Sequence, residues 1–144
     1  MVLPQSVRIA LPDDLLYRKV QPGQWDDDGL HPAAFEDRYA DLSLFVASVK
    51  SPSEILEGFA HYPPVRKACR TGSRNPTPMQ MYAAGYRIAS IRLLEFLNEG
   101  YQIKLIADGG HYDGDGHLEI VNGQRRAAIW ASRAHLLSRE ETLG

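Results

Sequence analysis

Hydrophobic and polar positions alternate in four segments of the chain, the pattern expected of strands with one buried face. These segments are residues 15–20, 42–49, 101–107 and 117–121. The last two flank a glycine-rich stretch, residues 108–116, and therefore predict a hairpin with a long connecting loop.

Helical patterns occur in three other segments. Ser51-Pro52-Ser53-Glu54 combines a hydroxyl N-cap, proline at the first helical position and glutamate at the third, and predicts a helix that ends near residue 60. Apolar residues at three- and four-residue steps predict a second helix over 90–99, closed by Gly100, although 86–91 could begin as a strand. An alanine-rich stripe predicts a last helix over 124–137. The pattern indicates an α+β domain in which a small, mostly antiparallel sheet packs against about three helices.

Two segments between these elements are predicted to be loops. Residues 24–41 contain turn sequences together with Trp25 and Phe35, which are suited to anchor an ordered loop on the body of the domain. Residues 62–78 combine prolines with arginines and lysine. We expect this basic segment to be exposed and mobile, with at most one helical turn over 65–70.

Composition narrows the class of protein further. The 144 residues, 44% hydrophobic and 24% charged, fit one globular domain over 1–144, with its core at about 14–137, rather than a disordered or coiled-coil chain. Because the formal charge is −2, we do not expect the protein to bind nucleic acid. No apolar run is long enough for a membrane helix and the first 20 residues are charged, so we expect a soluble, cytoplasmic protein. The single cysteine excludes an internal disulfide.

The densest group of potential metal ligands is the stretch 111–119. Histidines and carboxylates recur there at every second position, and in an extended chain they would share a face; they are His111, Asp113, Asp115 and His117. The glycines among them favour a turn instead. We therefore expect no metal site and no resident cofactor.

Four polar residues on predicted strands are candidates for a site: Arg18, Ser43, His117 and Glu119. The order of Arg18 in an early strand, Ser43 in a following strand and Glu119 in a late strand resembles ADP-ribosyltransferase-like folds. That resemblance implies NAD as a substrate, with Arg18 on the pyrophosphate, Ser43 on the nicotinamide ribose and Glu119 stabilising oxocarbenium charge. Ser43 lacks the Thr-Ser that follows it in the better-known branch, and His117 stands where a second glutamate is expected.

A second resemblance covers more of the chain. Short motifs over residues 14–137 look like a family of small uncharacterised bacterial proteins with no established activity. They are Leu16-Tyr17-Arg18, Asp28-Gly29, Pro32-Ala33-Ala34-Phe35, Asp41-Leu42-Ser43, Ser51-Pro52-Ser53-Glu54 and Gly116-His117-Leu118-Glu119-Ile120-Val121-Asn122-Gly123. This resemblance implies a self-contained bacterial domain whose polar positions include the same four residues.

Two hypotheses for function remain open. Walker, Rossmann, hydrolase-elbow and zincin motifs are absent from the sequence. The first hypothesis is a protein-interaction module without catalysis, which contacts a protein partner through the ordered loop and the basic segment. The second is an enzyme that acts on NAD with Arg18, Ser43 and Glu119. Convergence of these three side chains in one cleft would favour the enzyme.

Overall fold

A computed structural model of the chain describes residues 12–37, 40–105 and 116–144. In this part of the chain the strands are β1 Leu15–Val20, β2 Trp25–Asp26, β3 Gly29–Leu30, β4 Leu42–Val46, β5 Arg87–Arg92, β6 Ile103–Leu105, β7 His117–Ile120 and β8 His135–Leu136. The helices are α1 Pro52–Phe59, α2 Pro63–Cys69, α3 Pro78–Ala83, α4 Leu93–Asn98, α5 Ala127–Arg133 and α6 Arg139–Leu143, with 3₁₀ turns at Pro32–Phe35 and Gly123–Arg126. None of these helices is long and apolar enough to cross a bilayer.

Six of the strands form one antiparallel sheet in the order β6-β7-β4-β1-β5-β8, and β2 and β3 form a separate pair. The α+β class and the antiparallel sheet predicted from the sequence are confirmed. The predicted hairpin partners, β6 and β7, are neighbours, with Lys104 opposite Glu119. Apart from Gly116, the glycine-rich stretch between them lies outside the described residues.

The main sheet has two faces that pack against different helices. On the first face, Leu16, Leu44 and Leu118 join a core that includes Phe96 of α4 and Trp130 of α5. On the second face, Ile88 of β5 packs in a separate cluster with Ile55 and Leu56 of α1, Met81 of α3 and Leu137, which precedes α6. The second face of β4 and β7 carries half-exposed side chains instead, and this is where a site can form.

Helix α1 begins as the sequence predicts. The Ser51 hydroxyl accepts a hydrogen bond from the Glu54 N–H, and the Glu54 carboxylate accepts one from the Ser51 N–H. The helix buries Ile55 and Leu56. Its last residue, Phe59, is thereby placed beside the second face of the sheet.

The prediction that residues 62–78 form a loop is wrong for 63–69, which form the regular helix α2, whereas 70–77 contain no helix or strand. Pro63 begins α2 and Pro78 begins α3, at first-turn positions where the missing N–H has no helical partner to lose. Val65 and Met81 are buried in the same cluster as α1. The prolines therefore start helices here rather than prevent them.

Two predicted helix boundaries also differ from the structure. Residues 87–92 form β5, which agrees with the alternative of a strand over 86–91, and the helix begins at Leu93 rather than at residue 90. Four consecutive residues of β5 are buried, so the strand shows no alternation that would distinguish it from a helix. The last predicted helix ends at Arg133 and is followed by β8, while β4 ends at residue 46 rather than 49.

Candidate functional site

Arg18 is buried on the first face of the sheet, and its guanidinium is fully engaged within the protein. Nε donates to the Ala34 carbonyl at 2.9 Å. The two terminal nitrogens donate to the Ser43 and Glu36 carbonyls at 2.8 and 3.0 Å, and to the Asp37 carboxylate at 2.7 and 3.0 Å. A guanidinium has five N–H groups, and all are used. Arg18 therefore offers no free donor to a phosphate.

The Arg18–Asp37 pair forms hydrogen bonds with the backbone of β4 beyond the point where the β1–β4 pairing ends. The last residues of the two strands in register are Tyr17 and Phe45. Beyond them, the Ser43 N–H donates to Asp37 at 2.9 Å and the Ser43 carbonyl accepts from Arg18. The ion pair thus provides hydrogen-bond partners for the Ser43 N–H and carbonyl, which have no backbone partner on β1. It also connects the 34–37 segment to the sheet.

Ser43 and His117 lie next to each other on the second face of the sheet. Their side chains are hydrogen-bonded through Ser43 Oγ and His117 Nε2, and the tautomer of the histidine decides which one donates. The His117 ring stacks on Phe45, its register partner, with 5.3 Å between ring centroids. The stacking on Phe45 and the hydrogen bond to Ser43 together fix the position of the imidazole on this face.

Glu119 lies opposite Ser43 in the β4–β7 register and so faces the same side of the sheet. It is half-exposed, and within the described residues its carboxylate forms no hydrogen bond or ion pair. The structure therefore brings Ser43, His117 and Glu119 to one face. It directs the Arg18 side chain to the opposite face.

A groove of about 470 Å³ runs between this face and helix α1. Its lining contains the hydrogen-bonded Ser43 and His117, the end of α1 and the α1–α2 corner: Ser43, Phe45, Lys50, Ile55, Gly58, Phe59, His61, Tyr62 and His117. Two smaller depressions adjoin it at Phe59, one of about 340 Å³ and one of about 170 Å³, and Lys19 and Gln21 line both. The smaller one extends to the Arg18–Asp37 pair at the end of the β1–β4 pairing. We refer to the three together as the groove.

Five rings form a continuous row along the groove. Phe45 stacks on His117 at one end and meets Phe59 edge-on at 6.2 Å and 84°. Phe59 contacts Tyr62 at 5.8 Å, and Tyr62 contacts His61 at 4.3 Å. Tyr62 is 46% exposed, so the row reaches solvent at this end. Such a row offers faces and edges to a planar ligand.

Two lysine ammonium groups sit over this row. Lys19 Nζ is 3.9 Å from the centroid of the Phe59 ring, and Lys50 Nζ is 5.1 Å from that of Phe45. Within the described residues, Lys19 has no carboxylate at ion-pair distance. Burial lowers the pKa of Lys19 to about 8, the Arg18 guanidinium acts in the same direction, and Asp37 opposes them.

No motif in the sequence indicates Lys19 as a site residue. The alternation along β1 does indicate that Arg18 and Lys19 lie on different faces, because Arg18 shares the buried face with Leu16 and Val20 and Lys19 alternates with them. Parity does not show which face borders a groove. The ring row depends on the position of α1 over the sheet, which no local pattern reveals.

Other reactive groups are less suited to chemistry. Burial raises the pKa of the Cys69 thiol, which disfavours a reactive thiolate. Of the residues considered for a metal, His111, Asp113 and Asp115 lie outside the described residues. Among those that are described, no three histidine, cysteine or acidic side chains are grouped as a metal site requires.

No protein-family model, curated protein or solved structure matches the chain. The resemblances to ADP-ribosyltransferase-like folds and to a small bacterial family therefore stay predictions.

Proposed function

We propose that this chain is a binding domain whose groove takes a small anionic ligand with a planar ring, as a nucleotide has. The observation that carries the proposal is the Lys19 ammonium, which lies over the Phe59 ring without a carboxylate partner among the described residues. A half-buried cation without an acid is unfavourable unless an anion reaches it. The ring row beside it provides stacking surface for the planar part of the same ligand.

Contacts inside the protein weaken the case for a protein partner on the surfaces first considered. Phe35 is fully buried, and the Trp25 indole N–H donates to the Gly85 carbonyl at 2.8 Å. Residues 62–78 contribute Val65 to the core. Phe35 and Trp25 of the ordered loop and Val65 of the basic segment are thus used within the fold, and this supports a small ligand in the groove.

Catalysis on NAD is a second candidate, favoured by one observation. Ser43, His117 and Glu119 share the face that borders the groove, with Ser43 and His117 in contact. Arg18 has no donor left for the pyrophosphate, so the phosphate contact in this version of the hypothesis passes to Lys19. A carboxylate near a ribose would stabilise positive charge as nicotinamide leaves.

Calorimetric titration tests the binding proposal with matched ligands. We expect AMP and NAD to bind, and adenosine to bind about tenfold more weakly because it lacks the phosphate, a difference of about 1.4 kcal/mol. Lys19→Met should remove this preference for AMP over adenosine, whereas Lys67→Met, which changes an exposed lysine on α2, should retain it. Absence of heat with AMP and NAD at millimolar concentration would overturn the proposal.

Release of nicotinamide from NAD tests the second candidate separately. Turnover that is lost in Glu119→Gln while NAD still binds would support catalysis. Binding without nicotinamide release in the unmodified protein would leave the chain as a binding domain only.

A further inference from the structure

Lys19 occupies an unusual position for a lysine, at the junction of the two smaller depressions of the groove. Its amine is held over the Phe59 ring, and its backbone lies in the six-residue strand β1, opposite Ile88 of β5. The titratable and charged groups that line the same depressions are Arg18, Glu36, Asp37 and Tyr86, with Tyr62 on the α1–α2 corner. Arg18 and Asp37 are already bonded to each other.

We propose that Lys19 is a nucleophilic amine that condenses with the aldehyde or ketone group of a ligand bound in the groove. The inference rests on the groove admitting a ligand, as the proposed function requires, but not on that ligand being a nucleotide. The lone pair of Nζ attacks the carbonyl carbon to form a carbinolamine. Proton transfer and loss of the carbonyl oxygen as water then give an imine, so that no oxidant or reductant is involved.

Three features of the site favour this reaction at Lys19. No carboxylate within the described residues holds the ammonium in an ion pair, so deprotonation breaks no salt bridge. The groove is open to a ligand on both sides of the amine. With a pKa of about 8, about a quarter of Lys19 is neutral at pH 7.5, against about one in a thousand for an ordinary lysine.

Pyridoxal 5′-phosphate is a suitable probe because it joins an aldehyde, a planar ring and a phosphate. The protein is incubated with limiting probe at pH 7.5, the imine is reduced with borohydride, and peptide mass spectrometry measures labelling at all four lysines of the chain. We expect Lys19 to carry at least about ten times the label of Lys50, Lys67 or Lys104. Equal labelling of the four lysines, or preferential labelling of any other one, would overturn the proposal.

Two further arms separate this inference from the proposed function. Pyridoxal, which lacks the phosphate, should still label Lys19 selectively, because imine formation requires the amine and the aldehyde but not the phosphate. Protection of Lys19 by AMP tests anion binding in the groove, so selective labelling without protection would support the reactive amine and count against the nucleotide ligand. Lys19→Arg keeps the charge but has no condensing amine, and should lose the selective adduct, whereas persistence of a groove adduct in this variant would contradict the assignment.

Discussion

Replacement of Lys19 by methionine is expected to stabilise the protein at neutral pH. Methionine keeps the length of the side chain and its contact with Phe59, but removes the half-buried charge. A pKa lowered from 10.5 to about 8 corresponds to at most about 3.4 kcal/mol, at about 1.4 kcal/mol for each pH unit. Solvent screening and the attraction between the ammonium and the ring reduce this figure, and we expect a gain of about 1–2 kcal/mol at pH 7.

The sign of the pH dependence follows from proton linkage. Between about pH 8 and 10.5, the unfolded chain keeps a proton on Lys19 that the folded protein has released, so stability from this group rises with pH in that window. Below about pH 8 both states carry the proton and the penalty of burying the charge is fully present. The advantage of Lys19→Met over the unmodified protein should therefore fall to about 0.5 kcal/mol or less by pH 10.

Urea denaturation of both proteins at pH 7 and pH 10 measures this difference. Lys67→Met serves as the control, since Lys67 is exposed and its replacement should change stability by about 0.5 kcal/mol or less at either pH. The reasoning fails if Lys19→Met is less stable than the unmodified protein at pH 7. It also fails if its advantage is the same at pH 10.

Three other outcomes follow from the structure. Asp37→Ala should destabilise the protein by about 2–4 kcal/mol in urea denaturation, because it leaves two Arg18 donors and the Ser43 N–H without their acceptor; a loss below about 0.5 kcal/mol would contradict the anchoring role. Glu119→Gln should change stability by about 0.5 kcal/mol or less, since its carboxylate has no partner within the described residues, and a larger loss would show that it holds the fold together. Limited proteolysis should spare α2, whose Val65 is buried, and early cleavage inside Pro63–Cys69 would restore the mobile segment expected from composition.

Local chemistry in the sequence predicts those parts of the fold that depend on it. The alternation at 15–20 and 117–121 identifies strands because one face of each is buried, and the Ser51–Glu54 capping box marks the start of α1 because both of its hydrogen bonds are local. Strand β5 is buried on both faces and has no alternation to read. The short helix α6 carries its own capping box, Ser138 with Glu141, and this local signal in the sequence also marks a helix start.

The candidate site is predictable only in part, since it depends on which strands become neighbours. Ser43, His117 and Glu119 share one face because β4 pairs with β7, a contact between residues 72 or more positions apart. The pyrophosphate contact expected of Arg18 required its side chain to lie on the same face of the sheet as those three residues. Arg18 instead alternates in step with Leu16 and Val20, so its side chain leaves β1 on the other face and forms an ion pair with Asp37.

Arg18 and Lys19 are consecutive cations on one strand, and the difference between them locates the groove. Arg18 has a carboxylate and three carbonyls for its five N–H groups, so its burial is compensated and it serves the fold. Lys19 has a ring beneath it, no acid at ion-pair distance among the described residues, and a pKa lowered by burial. A residue that opposes stability at neutral pH breaks the local rule that buried charges are paired, and such departures concentrate at functional sites. The Lys19 amine lies where the row of rings borders the groove. Its lack of an acidic partner among the described residues therefore favours a ligand that supplies either an anion or an electrophile to the amine.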